Sequence, residues 1–81
     1  MEVTIHVFAY LRERLGATLT VDLPAETTIA ALKEAVSARD LLVADTVANS
    51  RVAINQEFIN GPAIKLHPSD ELALIPPVSG G

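Results

Sequence analysis

The chain has 81 residues, 49% of them hydrophobic, and a net charge of −4 from ten acids against six Lys and Arg. A chain this short is expected to form a single domain over 1–81, and a small domain needs a dense core because it buries only about 60–65% of its unfolded surface. The bases are scattered (Arg12, Arg14, Lys33, Arg39, Arg51, Lys65), which argues against a nucleic-acid partner. No apolar run reaches the roughly 18 residues of a membrane-spanning helix. No cysteine is present, which excludes disulfides, thiolate metal sites, iron–sulfur clusters and a cysteine nucleophile. Met1–Glu2–Val3–Thr4 has neither a basic region nor a signal-like apolar segment, so a cytoplasmic location is expected.

The first segment alternates. Val3, Ile5 and Val7 share one side and Glu2, Thr4, His6 and Phe8 the other, which is the period of a half-buried strand. Tyr10–Leu15 reads as a short helical turn closed by Gly16. Thr18–Leu23 alternates again, with Leu19, Val21 and Leu23 inward, and Pro24 ends it. Two consecutive alternating strands favour an antiparallel pair. Thr27–Thr28 can cap a helix over 28–39, with Ile29, Leu32, Ala35 and Val36 at helical spacing and Lys33 and Glu34 on the wet side.

Leu41–Leu42–Val43 is short and apolar and is expected to tuck back onto the core. Val47–Ile54 reads as a strand with Val52 and Ile54 on one face. Asn55–Gln56–Glu57 reads as a tight turn before a short strand at Phe58–Ile59, and Asn60–Gly61–Pro62 as a second turn. Ser69–Asp70–Glu71 leads into a continuously apolar last strand from Leu72, suited to a central place in a sheet. The order strand, strand, helix, strand, short strand, strand predicts an α+β fold, a mixed sheet with one main helix packed on one face. With the first and last strands side by side and the helix as crossover, that is a β-grasp, the ubiquitin-like fold.

The chemistry is concentrated at one end. His6 and His67 stand apart in sequence without ligand spacing, so no metal site is expected. Asp70 and Glu71 suit a turn better than acid–base work, and there is no glycine-rich phosphate loop. No bound cofactor is expected. The last strand instead runs without a spacer into Pro76–Pro77–Val78–Ser79–Gly80–Gly81. The prolines keep the exit extended, and the glycines make a tail slim enough for a channel that admits little but backbone. The tail of about 76–81 could span about 20 Å. Phe8, Phe58 and Ile75 cannot be placed in the core and are expected to form an exposed apolar patch for a protein partner.

Three stretches carry a family resemblance. Val7–Phe8–Ala9–Tyr10–Leu11–Arg12–Glu13 ahead of Gly16, Val52–Ala53–Ile54–Asn55–Gln56–Glu57, and Pro76–Pro77–Val78–Ser79–Gly80–Gly81 resemble the small subunit of molybdopterin synthase, the MoaD family. The resemblance covers the whole chain. One departure is Leu74–Ile75, where many members carry aromatics. The resemblance implies that an ATP-dependent activating enzyme adenylates Gly81, that sulfur then replaces AMP to give a thiocarboxylate, and that Pro76–Gly80 insert the tail into the large synthase subunit. The sulfur would go to cyclic pyranopterin monophosphate in molybdenum cofactor biosynthesis. It further implies a heterotetramer, catalytic groups on the large subunit, and Arg12 at the rim of a docking surface formed by Phe8, Phe58 and Ile75. A thiamine-type sulfur carrier and a ubiquitin-like protein modifier are the alternatives.

Overall fold

The structure is a computed structural model that describes residues 1–77. Its first strand, β1 (Glu2–Val7), follows the sequence alternation: Val3, Ile5 and Val7 are buried and the residues between them exposed. β2 (Thr18–Asp22) pairs with it antiparallel, Val3 opposite Val21 and Ile5 opposite Leu19. Between them lies α1 (Ala9–Leu15), which drives Leu11 into the core at 0% exposure. Gly16 closes that helix at φ 87°, donating its N–H to the Arg12 carbonyl at 2.9 Å. An L-residue takes that backbone only with strain.

A short strand, β3 (Glu26–Thr28), precedes α2 (Ile29–Ser37). The Thr28 hydroxyl caps α2 by accepting the Ala31 N–H at 3.0 Å. Leu32 and Val36 seat the helix on the sheet. The chain then makes a 3-10 turn at Leu41–Val43 and a brief helix, α3 (Ala44–Ala48). β4 (Arg51–Ile54) and β5 (Glu57–Phe58) form a hairpin, β6 (Ala63–Lys65) follows, and β7 (Leu72–Ile75) completes the order. Asn55 and Gln56 turn the hairpin at φ 52° and 70°, the left-handed pair that a two-residue loop between twisted strands demands.

The main sheet runs β2-β1-β7-β4-β5. β1 and β7 are parallel at its centre, Ile5 opposite Leu72 and Val7 opposite Leu74. β4 runs antiparallel on the other side of β7. First and last strands adjacent and parallel, with the helices on one face, make this an α+β β-grasp. Ile5, Leu11, Leu32, Val36, Val43, Val47, Leu72 and Leu74 fill the space between sheet and helices. β7 is paired on both edges, yet its faces differ. Leu72 and Leu74 are buried, whereas Ala73 and Ile75 on the outer face are half-exposed.

Three expectations are corrected, and one small sheet is added to them. Leu41 and Leu42 do not tuck inward; they stand 80% and 67% exposed and only Val43 is buried. The Asp40 carboxylate accepts the Leu42 N–H at 3.0 Å and is held by Arg14 at 2.7 Å, which aims this turn outward. Val47 lies in α3 rather than in a strand, and β4 starts only at Arg51. Val43 and Val47 are both fully buried, four residues apart, a helical spacing that alternation from Val47 onward obscured. The main helix stops at Ser37, short of Arg39, and α1 and α3 share the covering of the sheet. Finally, β3 and β6 form a separate two-stranded sheet, Thr27 opposite Ile64, from segments that carry no alternation long enough to read.

Candidate functional site

The outer face of the main sheet has an unusual centre. Strand register lays one row of residues across it: Thr18, His6, Ala73, Ala53 and Phe58. The two central positions are alanines, so the middle of the face is low and its flanks are high. The result is a hollow of about 380 Å³, walled by His6, Phe8, Phe58 and Ile75 over the alanine floor. Phe8 and Phe58 are 44% and 42% exposed. Arg51 lies with its guanidinium carbon 3.7 Å from the centroid of the Phe58 ring. That stacking holds the ring in place at an exposed site and is worth about 0.5–1 kcal/mol.

A second concavity of about 920 Å³ opens beside the first, between the start of α1, α3 and the exit of β7. Phe8 and Ile75 belong to both. Its remaining walls include Tyr10, Asp45, Asn49 and the two prolines that follow β7. The backbone turns from β1 into α1 at Ala9, whose φ of 53° is left-handed without being glycine. Such a residue costs about 1–3 kcal/mol, and here it places Phe8 and Tyr10 at the mouth of the groove.

The structure therefore brings Phe8, Phe58 and Ile75 together on one surface. Pro76 is half-buried, Pro77 is exposed, and both line the groove at the foot of the tail. Arg12 is exposed on α1, one turn beyond Phe8, and lines neither concavity. Val78, Ser79, Gly80 and Gly81 lie outside the described residues. The sequence reading missed His6, Ala53 and Ala73 as parts of the hollow, Arg51 as the support of Phe58, and Tyr10, Asp45 and Asn49 as parts of the groove. Ala53 carried a signal, since a small residue at outward parity between Val52 and Ile54 predicts a dip in the face. Asp45 carried none, because its segment was read as lying outside any helix.

One corner holds the surface in shape. Asp70 accepts the His67 N–H at 2.8 Å and an Asn55 side-chain N–H at 3.0 Å, and the Asn55 side-chain oxygen Oδ1 accepts the Glu71 N–H at 3.0 Å. The His67 amide and the Asn55 side chain hold the Asp70 carboxyl below its ordinary value. This clamp fixes the β4–β5 turn to the start of β7. Asp40 is lowered in the same way by the Leu42 amide and by Arg14. Among the described residues no three His, Cys, Asp or Glu gather as metal ligands would. Apolar side chains make up most of the walls of both concavities.

The comparisons agree with this geometry. The ThiS family model matches residues 5–81. The molybdopterin synthase sulfur carrier subunit of Dictyostelium discoideum is 38% identical over 80 residues, which cover 95% of this chain and 93% of the relative. Among solved structures, SAMP1 (small archaeal modifier protein 1) of Haloferax volcanii is similar at a TM-score of 0.78 and 27% identity, over 100% of both chains. A chain from the complex of subunits 1 and 2 of molybdopterin-converting factor of Helicobacter pylori 26695 gives a TM-score of 0.69 over 100% of both chains. At 21% identity that likeness speaks to the fold alone. With a family model matched along nearly its whole length and a relative this similar over the same span, the chain belongs to the ThiS/MoaD family of β-grasp proteins.

Proposed function

We propose that this chain is the sulfur-carrier subunit of molybdopterin synthase and that it acts in the cytoplasm. The observation that carries the reading is the 38% identity, along 95% of the chain, to a relative named for that role. The fold supports it, because the central strand β7 delivers the chain directly to Pro76–Pro77 and thence to Val78–Ser79–Gly80–Gly81. The reacting group is the Gly81 carboxylate. A carboxylate is a poor acyl donor, so an activating enzyme first joins it to AMP from ATP with release of pyrophosphate. Sulfur then displaces AMP, leaving a thiocarboxylate. The tail enters the large subunit, where the sulfur is passed to cyclic pyranopterin monophosphate. The chain binds no cofactor of its own, and the catalytic side chains belong to the large subunit.

The apolar surface gives the large subunit its hold. Phe8, Phe58 and Ile75 stand beside the foot of the tail, so docking there aims the tail at one channel. Ordering a free tail costs roughly 1–2 kcal/mol per residue, and the prolines reduce that cost by restricting the free chain. Arg12 adds a polar contact at the edge. A Helicobacter pylori neighbour was solved as a complex of subunits 1 and 2, and a heterotetramer of two small and two large subunits is the assembly we assign.

The test is intact mass after incubation with the activating enzyme, ATP and a sulfur source, followed by dithiolene formation with the purified large subunit. The mass should rise by the exchange of one oxygen for one sulfur, and tandem fragmentation should place it on Gly81. Sulfur transfer to a thiamine-pathway acceptor instead would favour the thiamine-type carrier. Higher-mass conjugates to lysines in cells would favour the protein modifier that the likeness to SAMP1 recommends.

A further inference from the structure

The charged residues lining the two concavities are acids: Asp45 in the groove and Glu71 in the hollow. Among the described residues no Lys or Arg lines either of them. Asp45 stands exposed at the start of α3, and among the described residues no ion pair holds it. Its nearest built support is indirect, since Asn49 donates a side-chain N–H to the Asp45 backbone carbonyl at 2.9 Å and leaves the carboxylate open. Around it the groove is apolar and aromatic, with Phe8, Tyr10, Ile75 and Pro77 in the walls. A carboxylate facing a wall of aromatic and aliphatic groups, at the rim of a groove about 920 Å³ in volume, suits a long cationic side chain. The stem of such a side chain lies along apolar surface while its head reaches the acid.

We infer that the groove, which adjoins the hollow through Phe8 and Ile75, receives a lysine or arginine of the partner beside the foot of the tail. The cation comes from an apolar segment of that partner, because the groove and the hollow are continuous through Phe8 and Ile75. A segment seated in one must run over these two residues to reach the other. This site rests on the carrier reading only for the partner's identity, the large subunit. Its chemistry stands on Asp45 and the groove walls. Its effect is orientation: with the apolar hollow as one point of attachment and the Asp45 pair as a second, the partner cannot rotate about the patch, and the tail leaves in one direction.

The test uses the full chain, labelled with nitrogen-15, in two titrations. One uses a capped synthetic peptide of sequence Leu-Lys-Phe-Lys-Leu, with a Glu-for-Lys version as control. The other uses the purified large subunit. Each is run on wild type, on Asp45→Asn and on Glu34→Gln, an exposed control on α2 outside both concavities. The basic peptide should shift the amides of Asp45, Tyr10 and Ile75, and the acidic peptide should not. Asp45→Asn should weaken binding roughly two- to fivefold at low salt, the range of an exposed ion pair. That difference should close near 1 M salt, where charges are screened beyond about 3 Å. Glu34→Gln should behave as wild type. A salt-sensitive loss on Asp45→Asn in either titration supports the site, and its absence from both overturns it. If wild type binds the basic peptide at the groove but not the large subunit, the carrier reading fails and the groove stands. If the large subunit binds wild type and Asp45→Asn alike, and the peptide does too, the carrier reading stands and the groove falls.

Discussion

Replacing Phe8 by alanine separates docking from folding. Phe8 is 44% exposed and belongs to both concavities, so any partner seated on the face must cover it. From a phenylalanine surface of about 200 Å², that exposure leaves ~90 Å² for a partner to bury. At about 25 cal/mol per Å² the loss is ~2 kcal/mol, or roughly a thirtyfold weaker complex. The portion already covered within the free chain, ~110 Å², bears on folding instead and sets an upper limit of about 2–3 kcal/mol. A domain of ordinary stability, about 5–15 kcal/mol, survives that. Titration calorimetry with the large subunit measures the first quantity and urea unfolding of the free chain the second. Binding within about twofold of wild type by a folded Phe8→Ala chain would refute the docking surface.

Other outcomes follow from single positions. Leu32→Ala removes a fully buried side chain from the face of α2 that seats on the sheet, and should cost about 2–5 kcal/mol in denaturant unfolding. Asp70→Asn reports on the corner clamp. Because the carboxyl is lowered in the folded chain, its contribution is complete above the unfolded value of about 3.9 and is lost as pH falls through the folded value. Wild type should therefore melt higher than Asp70→Asn at neutral pH, with the gap narrowing in acid; a gap independent of pH would contradict the clamp. At the tail, deleting Gly81 or adding one residue after it should abolish dithiolene formation from the chemically prepared thiocarboxylate while leaving the melting temperature unchanged. Gly80→Val should harm transfer more than folding, since a branched side chain is stiff and bulky in a narrow channel. Full-rate product from a chain lacking Gly81 would remove the terminal carboxylate from the mechanism.

The elements legible in the chain were those whose side-chain period exceeded a few residues. Val3, Ile5 and Val7, then Leu19, Val21 and Leu23, announced β1 and β2 because alternation over six residues has one plausible meaning. Thr28 marked the start of α2 because a hydroxyl before a helical apolar stripe satisfies an amide that would otherwise lack a partner. Asn55–Gln56 read as a turn because such residues tolerate the left-handed backbone it requires. The outward parity of Phe8 and Ile75 followed from the same period and placed them on the face that carries the candidate site.

What only the tertiary structure decided lay wherever two distant segments had to meet. Glu26–Thr28 and Ala63–Lys65 are three residues each, too short to show a period, and become strands only by hydrogen-bonding each other. Leu41 and Leu42 look like core in sequence; the Asp40–Arg14 bridge, across 26 positions, turns them to solvent. The hollow exists because register sets Ala73 beside Ala53, and the groove because α3 lies against the start of α1 and the exit of β7. Composition and period determine which face of each segment is apolar, since that is a property of neighbours along the chain. Which apolar faces meet, and which small residues fall side by side to leave a concavity, depends on strand register and helix placement, and those are set by packing across the whole molecule.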